Sequence, residues 1–130
     1  MIVSELEVSE VMTHRFLAVA PEDTLGEVAE RMAAENVGSA LVVDYGRLIG
    51  ILTSRDVLRA ISARVHPSEA RIREWMTGEP SAAAADTPAA EAARIMLRGG
   101  FHHLPVVEGE RPVGVVGLRA VIGAVGWPGC

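Results

Sequence analysis

The chain contains no lysine: all 12 of its basic side chains are arginine. That removes Schiff-base lysine chemistry and any Walker-type phosphate loop, which needs its Lys. There is one cysteine, Cys130, at the last position. It excludes an intrachain disulfide framework and a cysteine-based zinc site, and gives no sign of an oxidising compartment. Positive charge is scarce as well, 12 basic against 17 acidic residues for a formal net charge of −5. Such a balance, without a long basic run, disfavours wrapping nucleic acid or lying on an anionic membrane. No apolar run approaches the ~18 residues of a membrane span. The first ten residues, MIVSELEVSE, carry acids where a secretory signal needs basic residues followed by an apolar stretch. The expectation is a soluble, cytoplasmic protein. What is present is globular in character: 130 residues, 49% hydrophobic and 22% charged, the size of one ordinary domain.

That length hides a repeat. Val11-Met12-Thr13 recurs as Trp75-Met76-Thr77, 64 residues on. Met32 and Met96, Val42-Val43 and Val106-Val107, Gly50 and Gly114, and Arg55 and Arg119 are spaced by the same 64 residues, while Asp23-Thr24 recurs as Asp86-Thr87 after 63. The chain therefore reads as two copies of a unit of about 60 residues, a size that buries only ~60% of its chain surface and is marginal alone. The expected partition is repeat 1 over 8–64, a polar connector over 65–71 containing Pro67, repeat 2 over 72–125 and a tail over 126–130.

Each copy has the order β-α-β-β-α. In the first, Leu17–Val19 is a short strand, Thr24 with Glu27 three residues on forms a capping box, and Leu25, Val28, Ala29 and Met32 repeat at helical spacing. Asn36 and Gly38 stop that helix. Ala40–Val43 and Leu48–Leu52 flank the turn Asp44-Tyr45-Gly46-Arg47 as a hairpin, and Ser54–Arg64 is a second helix with Val57, Leu58 and Ile61 on one face. In the second copy, Ser81–Ala83 is the short strand, and Pro88–Arg98 is a helix ended by Gly99-Gly100. Leu104–Val107 and Val113–Val116 form the hairpin, and Leu118–Val125 is the last helix. The fold class is α/β (α+β), two repeats expected to pack with pseudo-twofold symmetry.

In this tandem arrangement the sequence resembles a cystathionine-β-synthase (CBS) domain pair. The resemblance rests on Val11-Met12-Thr13 and Trp75-Met76-Thr77, on Asp-Thr ahead of each first helix, and on Leu104-Pro105-Val106-Val107. Its strongest element is Gly50-Ile51-Leu52-Thr53-Ser54-Arg55-Asp56. The family's nucleotide motif is Gly, an apolar residue, any residue, Thr or Ser, two of any residue, then Asp. The resemblance covers about Val8 to Val125. It implies a stand-alone regulatory module that binds an adenosine-containing ligand in a cleft between the repeats: AMP, ADP or ATP, with NAD and S-adenosylmethionine as further candidates. No cofactor is required, and energy sensing is the implied role.

The heptapeptide has two readings. As a ligand site, Thr53 and Ser54 stand where a strand gives way to a helix, whose free N–H groups and positive dipole end suit a phosphate. The Thr53 hydroxyl and the Arg55 guanidinium add donors, Asp56 accepts the ribose hydroxyls as acids do in dinucleotide folds, and Ile51 forms an apolar wall for the purine. As plain structure, Thr53-x-x-Asp56 is a capping-box variant, and acids are favoured in a first helical turn regardless. The aligned stretch of copy two, Gly114 to Ala120, lacks the hydroxyl and the carboxylate, and its helix is expected all the same. One competent nucleotide site is therefore expected, not two. By the resemblance, the cleft headed by Asp56 is completed from the second repeat by Thr77, the strand near Ala82 and the His102-His103 segment.

Adjacent histidines in a strand point to opposite faces, so His102 and His103 make a poor metal site. His14 and His66 fall in turns. Met12, Met32, Met76 and Met96 read as core filler, Trp75 as interface packing, and Arg119 as a helix-surface residue. Trp127 lies in a Gly/Pro tail that docks on a partner or frays. The alanines Ala89, Ala90, Ala92 and Ala93 permit close helix approach, and a homodimer is expected. There is no nucleophile–base pair, paired-carboxylate motif or metal cluster to suggest an enzyme. The competing function is a structural dimerisation or scaffolding module with a vestigial ligand site, recruiting an unidentified protein partner.

Overall fold

A computed structural model describes residues 6–126; the Trp127 and Cys130 positions lie outside the described residues. The chain separates into two compact units. One runs from Phe16 to Pro80, and the other joins the residues up to Arg15 with those from Ser81 onward. The compact unit and the sequence repeat are thus different partitions of the chain. Each unit holds the body of one repeat together with the lead segment of the other.

The first unit is built from β1 (Ala18–Val19), α1 (Leu25–Glu35), β2 (Ser39–Asp44), β3 (Arg47–Thr53), α2 (Ser54–Ser62), α3 (Ile72–Trp75) and β4 (Thr77–Gly78). Its sheet has the order β1-β2-β3-β4, with β1 parallel to β2 and the other neighbours antiparallel. The β2–β3 turn places Tyr45 and Gly46 at φ 51° and 77°, the paired positive values of a type I′ hairpin. Helix α1 begins as its sequence predicts: Thr24 Oγ1 accepts from the Glu27 N–H at 3.2 Å, and Glu27 Oε1 accepts from the Thr24 N–H at 3.2 Å. It ends on Asn36 in the left-handed region. Its next free N–H groups are met from the lead: Leu25 donates to the Ala70 carbonyl and Gly26 to the Pro67 carbonyl, both at 2.9 Å. The core beneath gathers Leu17, Val19, Leu25, Val28, Met32, Val42, Leu52 and the lead residue Ile72.

The second unit contains β5 (Ala83–Ala84), α4 (Ala89–Gly99), β6 (His103–Glu108), β7 (Arg111–Gly117) and α5 (Leu118–Val125), with a 3-10 turn over Val8–Glu10. The sheet order is β5-β6-β7. The lead repeats the arrangement of the first unit 64 residues earlier. Val8 is fully buried as Ile72 is, the Ala89 N–H donates to Leu6 as Leu25 does to Ala70, and Thr13 bridges Val115 as Thr77 pairs with Ile51.

Repeat 2 opens with residues 72–78, which carry α3 and β4, a stretch to which the sequence reading assigned no structure. Two local features differ from that reading. The short strand of copy two lies at Ala83–Ala84, not Ser81–Ala83. Leu58 and Ile61 of α2 are 68% and 57% exposed, and the residues that α2 buries are Asp56 and Ala60. The alanines of α4 are used inside their own unit: Ala89, Ala92 and Ala93 belong to its core, at the positions that Leu25, Val28 and Ala29 occupy along α1. Smaller side chains let α4 pack closely on α5, whereas α1 and α2 leave an apolar groove of about 330 Å³ lined by Met32, Val37, Val57 and Leu58 among others. No helix among the described residues is long and apolar enough to cross a membrane.

Candidate functional site

Strand β3 delivers the heptapeptide, and its first residue explains part of it. A Cβ added at Gly50 would lie 2.5 Å from Met76 Sδ and 3.0 Å from the Thr77 carbonyl oxygen. Glycine is needed there so that β4 can close on β3, which pairs Gly50 with Gly78 and Ile51 with Thr77. Gly114 has the same role, since its Cβ would come within 2.8 Å of the Thr13 carbonyl oxygen. Ile51 is buried and Thr77 exposed at this edge.

The chain turns from strand to helix at Thr53, with φ −114° and ψ 167° at the N-cap of α2. Asp56 stands three residues on and is only 6% exposed. Its carboxylate makes three contacts. Oδ2 accepts from the Thr53 N–H at 2.8 Å and from the Thr53 hydroxyl at 3.1 Å, and Oδ1 accepts from Arg59 Nη1 at 2.9 Å. The Arg59 guanidinium in turn lies 5.7 Å from the centre of the Trp75 ring, within cation–π reach. The Ser54 N–H donates to the Gly38 carbonyl at 3.1 Å, tying the helix start to the end of the α1–β2 loop. Ser54 and Arg55 are exposed at this first turn. Ile51, Thr53, Ser54, Arg55, Asp56 and Thr77 therefore share one unit. The capping interaction and a buried acid at a helix N-terminus coexist in the same residues.

Ala82, His102 and His103 belong to the other unit. Ala82 is half-buried directly ahead of β5. His102 precedes β6 and is exposed, whereas His103 opens the strand and is half-buried. Both line a cavity of about 630 Å³ with Gly117, Leu118, Arg119 and Ile122, at the start of α5. Burial holds the His103 imidazole below its ordinary pKa, and the neighbouring His102 adds to this. Among the described residues no group of three His, Cys, Asp or Glu side chains is placed to hold a metal ion.

Sequence reasoning missed Arg59 and the contact it makes with Trp75. Trp75 packs on the core of its own unit and carries the Arg59 guanidinium on its face. The available signal was the i, i+3 spacing of Asp56 and Arg59, together with the loss of the whole set in copy two, where Ala120, Gly123 and Val11 occupy the matching positions.

Comparison with known proteins places this arrangement. The chain is 34% identical over 115 residues to an uncharacterised 17.7 kDa protein of Acidianus ambivalens, covering 87% of this chain and 69% of that one. It spans about a fifth of the length of CBS domain-containing proteins of Arabidopsis thaliana, at 39% and 36% identity. Among solved structures it is similar to the CBS domain protein PAE2072 of Pyrobaculum aerophilum complexed with AMP, with TM-score 0.82, 25% identity and coverage of 88% of this chain and 89% of that one. It is also similar to the cytosolic domain of the Mg2+ channel MgtE in complex with ATP, with TM-score 0.77, 33% identity and coverage of 92% of this chain and 48% of that one. The CBS domain model matches twice, at residues 8–63 and 72–126, and with both copies accounted for the chain belongs to the CBS-domain family.

Proposed function

We propose that this chain is a regulatory module that binds an adenosine-containing nucleotide of the AMP, ADP or ATP class at the strand-to-helix junction Gly50–Asp56, and that occupancy is read by a partner protein. The carrying observation is Asp56: a buried carboxylate in the first turn of α2, whose counterpart Ala120 heads a helix that forms without it. In this reading Asp56 accepts ribose hydroxyls, Ile51 and Thr77 border the base, and Thr53, Ser54, Arg55 and the helix N-terminus face the phosphate. The relatives in complex with AMP and ATP support the ligand class.

A thermal-shift panel of AMP, ADP, ATP, NAD and S-adenosylmethionine tests the proposal. A ligand at 100 times its Kd adds about 2.7 kcal/mol of stability, and Asp56→Ala abolishes the shift. No shift with any ligand, or an equal shift in Asp56→Ala, sinks the reading. Two observations favour a second reading, a dimerisation or scaffolding module with a vestigial site: the Asp56 carboxylate is already engaged within the chain, and Leu58 and Ile61 leave an apolar face in solvent. Partner or self-association that ignores both nucleotide and Asp56→Ala is its signature.

A further inference from the structure

The contacts around Asp56 do more than hold a helix start. An ionised carboxylate offers about four lone-pair sites, and three are filled by the Thr53 N–H, the Thr53 hydroxyl and Arg59. A ribose diol brings two O–H donors to a carboxylate with one site left. The Asp56 side chain is also only 8% exposed, beneath a partner that is 58% exposed. A ligand that grips Asp56 with both hydroxyls must therefore replace a donor already there.

The three donors are not equally replaceable. The Thr53 N–H is fixed by the start of α2, and its removal would strand a backbone donor. The Thr53 hydroxyl belongs to the same half-buried residue. Arg59 alone can swing into water and leave nothing unsatisfied. Its guanidinium is the exposed end of the ion pair, 58% open to solvent, and its other contact is the face of the Trp75 ring. Acid, arginine and indole are absent together from copy two, where α5 forms over Ala120 and Gly123, so the fold does not call for them.

We propose that Arg59 is the gate of the nucleotide site: it occupies Asp56 in the empty protein, and the ribose diol displaces it, freeing the face of Trp75. The inference rests on the nucleotide reading above. Arg59 is a positioning residue whose release carries occupancy to the 72–78 segment, since Trp75 closes α3 one residue ahead of β4. Ligand binding and the Arg59–Trp75 contact are then mutually exclusive, and each must weaken the other.

The test uses the full chain carrying Trp127→Phe, which leaves Trp75 as the sole tryptophan. AMP and ATP are titrated in parallel by calorimetry and by Trp75 emission. The expected result is an emission change that saturates at the calorimetric Kd. Arg59→Met should tighten the calorimetric Kd by about threefold to tenfold, from loss of two competing contacts, and should abolish the emission change. Arg59→Lys, which keeps the charge but not the planar stack, should fall between. Calorimetric binding with silent Trp75, an emission change that survives Arg59→Met, or weaker binding in Arg59→Met overturns the gate while leaving the nucleotide reading standing. If AMP and ATP give no calorimetric heat and no ligand of the thermal-shift panel stabilises the protein, both fall together.

Discussion

The capping role and the proposed ribose-accepting role fall on the same side chain, which is why Asp56 has two readings in the sequence and keeps both in the structure. Its presence at a helix start was legible from the strand-to-helix spacing. The Arg59–Trp75 arm was not, because Trp75 reaches Arg59 only after the 72–78 segment has folded back onto β3, and no local pattern encodes that. His103 shows the converse. The sequence places it in a strand, but only burial makes it distinctive. Its folded pKa is depressed below the ordinary value of about 6.5. The unfolded chain therefore binds the proton more readily, and stability must fall as pH drops from above 6.5 toward the folded pKa, then level off in this contribution. A series of melting curves between pH 8 and pH 5 should show that loss, and His103→Gln should flatten it. The Glu27 carboxyl, lowered chiefly by the Thr24 hydroxyl and then by the Thr24 N–H, acts in the same direction at lower pH, as the capping contact is lost by protonation. NMR titration of the His103 ring separates the two. A His103 pKa at or above 6.5 would contradict the burial argument.

At the level of elements, both hairpins and all four long helices follow from periodicity, caps and turn residues. The leads were harder to read. A two-residue strand such as β4 has no periodicity to detect, and it exists because Gly50 lets it approach. The role of the α4 alanines was also hidden, since a small-residue stripe serves an inner helix contact as well as an outer one. Ala92 is fully buried where α1 has Val28, and it sits in the core shared with Val121 of α5. Enlarging it forces the two helices apart. Ala92→Leu is expected to lower unfolding free energy by about 1–3 kcal/mol through overpacking, as urea denaturation would report, while Ala33→Leu on exposed α1 surface should stay within about 0.5 kcal/mol. Equal effects from the two would mean that α4 and α5 are not in close contact.

For the whole chain, the exchange of leads decides which stretches can fold alone. A fragment cut at the repeat boundaries, residues 8–64, keeps α1, the hairpin and α2 but loses residues 65–80. With them go the acceptors for the Leu25 and Gly26 N–H groups, the buried side chains of Ala70 and Ile72, and strand β4. Burial of Ile72 contributes about 1.5–3 kcal/mol, and each of the two hydrogen bonds about 0.5–1.5 kcal/mol. Their sum is comparable with the ~3–5 kcal/mol that a single core of this size supplies in total. A fragment of residues 16–80 retains every one of these contacts and discards only a lead that belongs to the other unit. The 16–80 fragment is therefore expected to show dispersed amide resonances and a cooperative urea transition, and the 8–64 fragment a collapsed or unfolded spectrum. Comparable folding of the two would mean that the lead decorates the unit without completing it. Arg59 would then face a Trp75 whose segment is not needed for the fold, and the gate would have to act on a part of the chain already free to leave.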